Sequence, residues 1–295
     1  MPEDCSPARS TGIHPMKDLL YTLYPGRPSA SGCDWMSGRT CWLSLLGASA
    51  LLWHAVAFRQ VEVIAAPPTV IDNPATTTAA PPQTATVPQA ERWNKELAAF
   101  DKENTMHPQR TGGLVFCGSS TIRLWKLKDS FPEYSPINRG FGGSRYDDLV
   151  RHAERILKPL QPAVLVIYSG DNDIAAKQSS EEVVQNFEKF HTWVRTELPE
   201  TKIIVLGIKP SVKRWEMIES IRETNSQLAK ICGKDPQATF IDTETVMLGA
   251  NGQPIPELFV ADGLHMSEEG YRRWAQLLKP YLAVIHPPQS SAVIK

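Results

Sequence analysis

The sequence predicts a three-layer α/β/α sandwich built on a parallel sheet of about five strands, carried by residues 91–286 of a 295-residue chain. Three observations predict it. Short apolar runs alternate with amphipathic helical patterns throughout this stretch, and such alternation builds a parallel sheet covered by helices on both faces. Two of the runs, VLVIY (164–168) and KIIVL (202–206), are continuous and β-branched, as strands buried on both faces require. Residues 1–39, with Pro, Gly and Ser and little periodicity, supply no core of their own, so the fold closes without them.

The elements follow in order. An opening helix is read over ERWNKELAAFDKEN (91–104). Strands are expected at Leu114–Cys117, Ile137–Asn138, Val164–Tyr168, Ile203–Leu206 and Thr239–Ile241, each a short apolar run. Amphipathic patterns at 146–157, 181–198 and 216–232 supply the intervening helices. A last helix begins near Ser267, a capping residue followed by Glu268 and Glu269, whose charges suit a helix N-terminus. Residues 287–295 form a short tail.

Composition excludes several classes. Lys plus Arg is 31 against 32 for Asp plus Glu, so no basic footprint for nucleic acid exists. Hydrophobic residues make up 42% of the chain, which is enough for a core. Five cysteines are too few for a disulfide scaffold, and no C-x-x-C or H-E-x-x-H spacing marks a metal site. Cys117 ends an expected buried strand and reads as a free thiol; Cys232 is the second cysteine of the patterned region.

Ahead of the domain, residues 40–58 carry no formal charge. As a helix they would span about 28 Å, close to the roughly 30 Å of a bilayer core. Two readings stay open: an uncleaved signal anchor, or a secretory signal peptide starting at Met36 with Ala55-Val56-Ala57 as its cleavage site. A buried globular helix is disfavoured because neither flank offers it packing partners. Arg27 and Arg39 before the segment, against Arg59 alone after it, place the later residues outside the cytoplasm. Residues 59–90 read as a linker. Nineteen of the 26 residues at 65–90 are Ala, Thr or Pro, which favours extended polyproline structure.

In an open parallel sheet, ligands bind beyond the carboxyl ends of the strands. Four segments lie there: Gly118-Ser119-Ser120-Thr121, Arg139-Gly140-Phe141-Gly142-Gly143-Ser144, Ser169-Gly170-Asp171-Asn172-Asp173, and Asp262-Gly263-Leu264-His265 before the last helix. Their residue types fit acyl transfer. A serine opening a helix is exposed, a histidine can take its proton, and an aspartate can hold the other imidazole nitrogen. The N–H groups of Ser120 and Gly143 and the side chain of Asn172 would stabilise an oxyanion. Singly, each signal has a plain structural reading as a cap, a turn or a surface pair; their joint order and placement set them apart. The GFGG run lacks dinucleotide-loop spacing, and the G-x-S-x-G elbow of the α/β-hydrolases is absent.

These blocks resemble those of the SGNH (GDSL-type) hydrolase superfamily. FCGSSTIRLW is similar to the first block with Ser120 at the nucleophile, NRGFGGSRYDDL to the second with Gly143, YSGDND to the third with Asn172, and ADGLHMSEEGY to the last with Asp262 and His265. The resemblance covers residues 110–285 and is strongest to bacterial relatives of the platelet-activating-factor acetylhydrolase type. It implies a flavodoxin-like sheet of order 2-1-3-4-5 and esterase or deacetylase activity without metal or cofactor. Ser119 stands where the family usually has Asp, which leaves open whether Ser119 or Ser120 attacks; the Gly-x-Ser pattern favours Ser120.

Phe141, Arg145 and Trp215 are expected substrate contacts, with Tyr146, Phe259 and the cationic loop 209–215 near the same cleft. The expected substrate is a small-molecule or carbohydrate ester. A lipid-directed esterase or thioesterase, and a tethered binding module without catalysis, are the alternatives.

Overall fold

The computed structural model describes residues 92–288. The expected extension at 1–39, the membrane or signal segment at 40–58 and the linker at 59–90 lie outside the described residues. Strands β1 (Leu114–Gly118), β2 (Ile137–Gly140), β3 (Val164–Tyr168), β4 (Lys202–Leu206) and β5 (Ala238–Ile241) form one sheet of order β2-β1-β3-β4-β5. Every pairing is parallel. The five longer helices are α1 (Asn94–Met106), α2 (Tyr146–Leu157), α3 (Ser180–Glu197), α4 (Ile218–Cys232) and α5 (Glu268–Ile285).

Strand side chains alternate between the two faces, and the core divides accordingly. Val115, Cys117, Leu165, Ile167, Ile203 and Val205 pack on one side with Leu149 of α2, Phe187 of α3 and Leu228 of α4. Leu114, Phe116, Val164, Val166, Tyr168 and Ile204 pack on the other with Trp125, Phe131, Trp274 and Leu278. All residues of β1 and β3 are buried, which is why both runs are apolar without interruption. Cys117 and Cys232 are buried and unpaired. Among the described residues, no helix is long and apolar enough to cross a membrane.

Local signals end the elements close to where the sequence places them. α3 opens on a capping box: Ser179 Oγ accepts the Glu182 N–H at 3.2 Å while Glu182 accepts the Ser179 N–H at 2.8 Å. Ser267 caps α5 by accepting the Gly270 N–H at 3.2 Å. α4 departs from expectation. The pattern read as helix from 216 begins as a 3-10 turn over Val212–Met217, where Arg214 breaks helical geometry at φ −120°, ψ 22°. The Arg214 side chain meets Asp171 and Asn172, just beyond the end of β3.

The register aligns the strand ends. Gly118 pairs with Gly140 on one side and Tyr168 on the other, so the loops after β1, β2 and β3 leave from one level. Gly118 has φ +141°, and a Cβ there would lie 1.9 Å from the Tyr168 carbonyl oxygen. Only glycine permits this approach. We predict that Gly118→Ala lowers stability by about 2–4 kcal/mol through strain and overpacking. A urea midpoint equal to that of the parent chain would refute the close-approach argument.

Candidate active site

Ser120 opens a one-turn helix, Ser120–Arg123, directly beyond β1. The two serines have different surroundings. Ser119 is fully buried, and its hydroxyl has no hydrogen-bond partner. Its backbone is engaged: the N–H donates to Tyr168 O at 3.1 Å, and the carbonyl accepts from Ile122 and Arg123 N–H at 3.0 Å each. Ser120 is half-buried, and its Oγ lies 3.1 Å from His265 Nε2.

His265 and Asp262 belong to one tight turn. His265 Nδ1 lies 2.6 Å from Asp262 Oδ2, while Asp262 Oδ1 accepts the N–H groups of Leu264 at 2.8 Å and His265 at 2.9 Å. The hydrogen bond from His265, with those two N–H donors, holds the Asp262 carboxyl down at about 2 against burial that would raise it. The Asp262 side chain therefore stays ionised and fixes a proton on Nδ1, leaving Nε2 free to accept from Ser120.

Gly143 and Asn172 come from the loops after β2 and β3. Gly143 has φ +74°, a backbone conformation that favours glycine, and a Cβ there would lie 2.6 Å from Arg92 Nη2, the far end of an exposed side chain. Gly118 O accepts Phe141 N–H at 2.9 Å and the Ser144 hydroxyl at 3.2 Å, tying the second loop to the strand end that carries Ser120. Asn172 Nδ2 donates to Ser144 O at 3.0 Å, which joins the third loop to the second. One N–H of that amide is thus committed and the other remains available.

Beneath these loops lies a buried ionic cluster. Lys209 Nζ donates to Thr121 Oγ1 at 3.2 Å, Tyr168 OH at 3.0 Å and Asp171 Oδ2 at 3.2 Å, using all three protons. Arg214 Nη1 lies 3.0 Å from Asp171 Oδ2, and its Nη2 donates to Asn172 Oδ1 at 3.0 Å. Burial alone would raise the Asp171 carboxyl, but Lys209 and Arg214 outweigh it and hold the group below its usual range. Arg214 fixes which way the Asn172 amide points. The sequence marked 209–215 as a cationic loop near the cleft; the structure makes two of its charges internal partners of Asp171. A buried acceptor for them could be suspected only from Asp171 in the third block.

The structure corrects one expected substrate contact. Phe141 is fully buried, its ring 5.3 Å from Trp93 and 6.1 Å from His152, because the side chain turns under the loop into the core. Tyr146 is likewise buried, against Phe187. Arg145 precedes α2 and donates to Asp147 at 3.2 Å. Trp215 is half-buried against the α4 side of the core, 5.9 Å from the Arg222 guanidinium, and Phe259 is buried. A groove of about 710 Å³ starts at His265 and runs between the Leu127–Ser130 helix and α5, lined by Leu124, Trp125, Val260, Tyr271 and Ala275 among others. Leu124 and Val260 expose 43% and 47% of their surface at this groove, an apolar rim that sequence periodicity does not reveal.

The family model for GDSL-like lipases and acylhydrolases matches residues 123–273, beginning three residues after Ser120. The chain is 30% identical over 181 residues to the platelet-activating factor acetylhydrolase IB subunit alpha2 of Homo sapiens, covering 57% of this chain and 73% of that protein. A solved Streptococcus pneumonia protein named for platelet activating factor shares the fold at TM-score 0.57 and 23% identity, over 65% of this chain and 96% of its own. A GDSL-like lipase from Bacteroides thetaiotaomicron gives 0.52 and 21%, over 66% and 98%. The chain belongs to the GDSL-like lipase/acylhydrolase family and is an ester hydrolase. The sheet order expected from the SGNH resemblance is the order observed.

Asp173, next to Asn172, is fully buried and accepts the Tyr146 N–H at 3.0 Å. Burial pushes its carboxyl from 3.8 up to about 7. Across that window the folded chain holds a proton the unfolded chain has released, so this group makes stability fall as pH rises. Asp173→Asn keeps an acceptor for Tyr146 and removes the titration. Urea midpoints between pH 4.5 and 7.5 are expected to decline less in the variant than in the parent; parallel profiles would refute the assignment.

Proposed function

We propose that the chain hydrolyses small carboxylic esters, acetyl esters foremost, on carbohydrate or other small-molecule alcohols, through a covalent acyl-enzyme on Ser120. The observation that carries this reading is the line from Ser120 Oγ to His265 Nε2 at 3.1 Å and from His265 Nδ1 to Asp262 at 2.6 Å. His265 takes the Ser120 proton as Oγ attacks the ester carbonyl. The Ser120 and Gly143 N–H groups and the free N–H of Asn172 stabilise the oxyanion. The imidazolium then gives its proton to the leaving alcohol. Water, deprotonated by the same imidazole, attacks the acyl-enzyme and releases the acid and Ser120. Asp262 stays ionised throughout and steadies the imidazolium. No step in this scheme calls for a metal or cofactor.

The platelet-activating factor acetylhydrolase relatives carry an acetyl-ester activity in their name, which supports the choice of acetyl. We place the reaction outside the cytoplasm, a reading that rests on the uncharged sequence at 40–58. The groove leading from His265 favours a second reading, a lipid-directed esterase or thioesterase. Leu124 and Val260 line it with His265 and expose apolar surface, alongside charged residues such as Lys126 and Glu268.

A 4-nitrophenyl ester series from acetate to long acyl chains, run on the full chain, tests the proposal. Ser120→Ala and His265→Ala are expected to lower kcat by about 10⁴-fold or more. Asn172→Ala should cost about 10²–10³-fold in kcat, the price of one oxyanion donor. Ser119→Ala, which removes only an unpartnered buried hydroxyl, should retain activity. Loss in Ser119→Ala with activity surviving in Ser120→Ala would overturn the assignment. Preference for long chains would promote the lipid reading. A folded, inactive parent chain would favour the binding module.

A further inference from the structure

Two guanidinium groups lie against the turn that carries Gly143. Arg123 stands three residues after Ser120 on the same short helix, so both face one side of it. A Cβ at Gly142 would lie 3.0 Å from Arg123 Nε and 3.4 Å from its Cζ and Nη2. Gly142 is absent from the positive-φ residues, so its backbone does not demand glycine; the missing side chain makes room for Arg123. On the neighbouring residue, Arg92 Nη2 would lie 2.6 Å from a Gly143 Cβ. Arg92 is also placed: its guanidinium sits 4.7 Å above the buried Trp93 ring, whose Nε1 donates to Gly142 O at 2.9 Å. One indole thus anchors both the turn and the cation beside it.

Among the described residues, neither arginine has a carboxylate partner. Several carboxylates of the site are engaged elsewhere: Asp262 with His265, Asp171 with Lys209 and Arg214, and Asp147 and Asp148 with Arg145. Arg92 and Arg123 are both exposed. Two oriented, solvent-facing guanidiniums without counter-charge beside an ester-cleaving centre are a receptor for a negative group.

We infer that the preferred substrates are anionic esters, in which a carboxylate, phosphate or sulfate on the acyl or alcohol part is bound between Arg92 and Arg123 while the ester carbonyl lies at Ser120. This rests on the reading of Ser120 as the nucleophile of an esterase. The anion is bound and not transformed, so the chemistry at the ester is unchanged.

The test uses the full chain and two matched ester pairs. Mono-4-nitrophenyl succinate against its neutral methyl ester carries the charge on the acyl side. 4-Acetoxybenzoate against methyl 4-acetoxybenzoate carries it on the alcohol side. The parent chain is expected to favour the anionic member of at least one pair, and the responding pair identifies which part of the substrate bears the anion. Arg92→Gln with Arg123→Gln should lower the anionic-to-neutral ratio of kcat/KM by about tenfold, chiefly through KM. Arg123→Lys should retain part of the preference, and added salt should erode it in the parent. A ratio unmoved by the double substitution in both pairs overturns the inference, as does an equal fall for anionic and neutral members, which would assign the arginines to the oxyanion itself. Either outcome leaves the esterase reading intact, because the neutral esters are still cleaved. A parent chain inactive on all four esters overturns that reading, and this inference with it.

Discussion

Asp171 is the point on which the site depends. It is buried between Lys209 and Arg214, and these contacts join the loops after β3 and β4, which are far apart in sequence. Lys209 reaches the short helix that carries Ser120 through Thr121 and the end of β3 through Tyr168, while Arg214 reaches Asn172. Taking three charges out of water is expensive, and removing any one partner would leave an unpaired buried charge. The cluster persists because Lys209 spends every proton on an acceptor and Arg214 bridges a carboxylate and an amide. It stabilises little by its charges alone. What it contributes is specificity, since few arrangements of the loops after β1, β3 and β4 bring Thr121, Tyr168, Asp171, Lys209 and Arg214 together.

The two halves of the centre are positioned by different means. Asp262 and His265 are set by a local turn, closed by the His265 carbonyl accepting Val260 N–H at 2.9 Å and by the Asp262 carboxylate accepting two backbone N–H groups. Gly143 and Asn172 are set by contacts of long sequence range, through Gly118 O, Ser144 O and Arg214. One main-chain bond links the halves, from Lys213 N–H to Gly263 O at 2.9 Å. The Asp262–His265 pair is therefore held by its own turn while partly exposed, whereas Asn172 is held by the buried cluster through Arg214.

What was legible in the sequence follows this division. β1 and β3 were readable because strands buried on both faces must be apolar at every position, and the Asp262–His265 pair because its geometry is local. Phe141 was misplaced because a phenylalanine in a glycine-rich loop looks exposed until the partners beneath it, Trp93 from the opening segment and His152 from α2, are known. The cations of 209–215 read as one loop near the cleft, yet Lys209 and Arg214 meet an acid from another loop. Arg92 and Arg123 carried no signal, since only the pairing of β1 with β2 brings the Gly142–Gly143 turn between them. The 3-10 turn before α4 escaped notice because only its last residues, 216 and 217, fell inside the helical pattern and the rest read as loop.

Ser119 illustrates how a departure from a family pattern can be absorbed. The position's structural duties fall on its backbone: its N–H closes onto Tyr168 O, and its carbonyl accepts two N–H groups of the helix that presents Ser120. Neither duty depends on the side chain. The serine hydroxyl is left buried without a partner, a cost of about 1–3 kcal/mol when such a group has been desolvated. An aspartate at the same place would bring a carboxylate into a fully buried site and would need donors of its own. Serine exchanges that demand for one unmade hydrogen bond. The short helix, the close approach at Gly118 and the 3.1 Å contact between Ser120 and His265 all coexist with it.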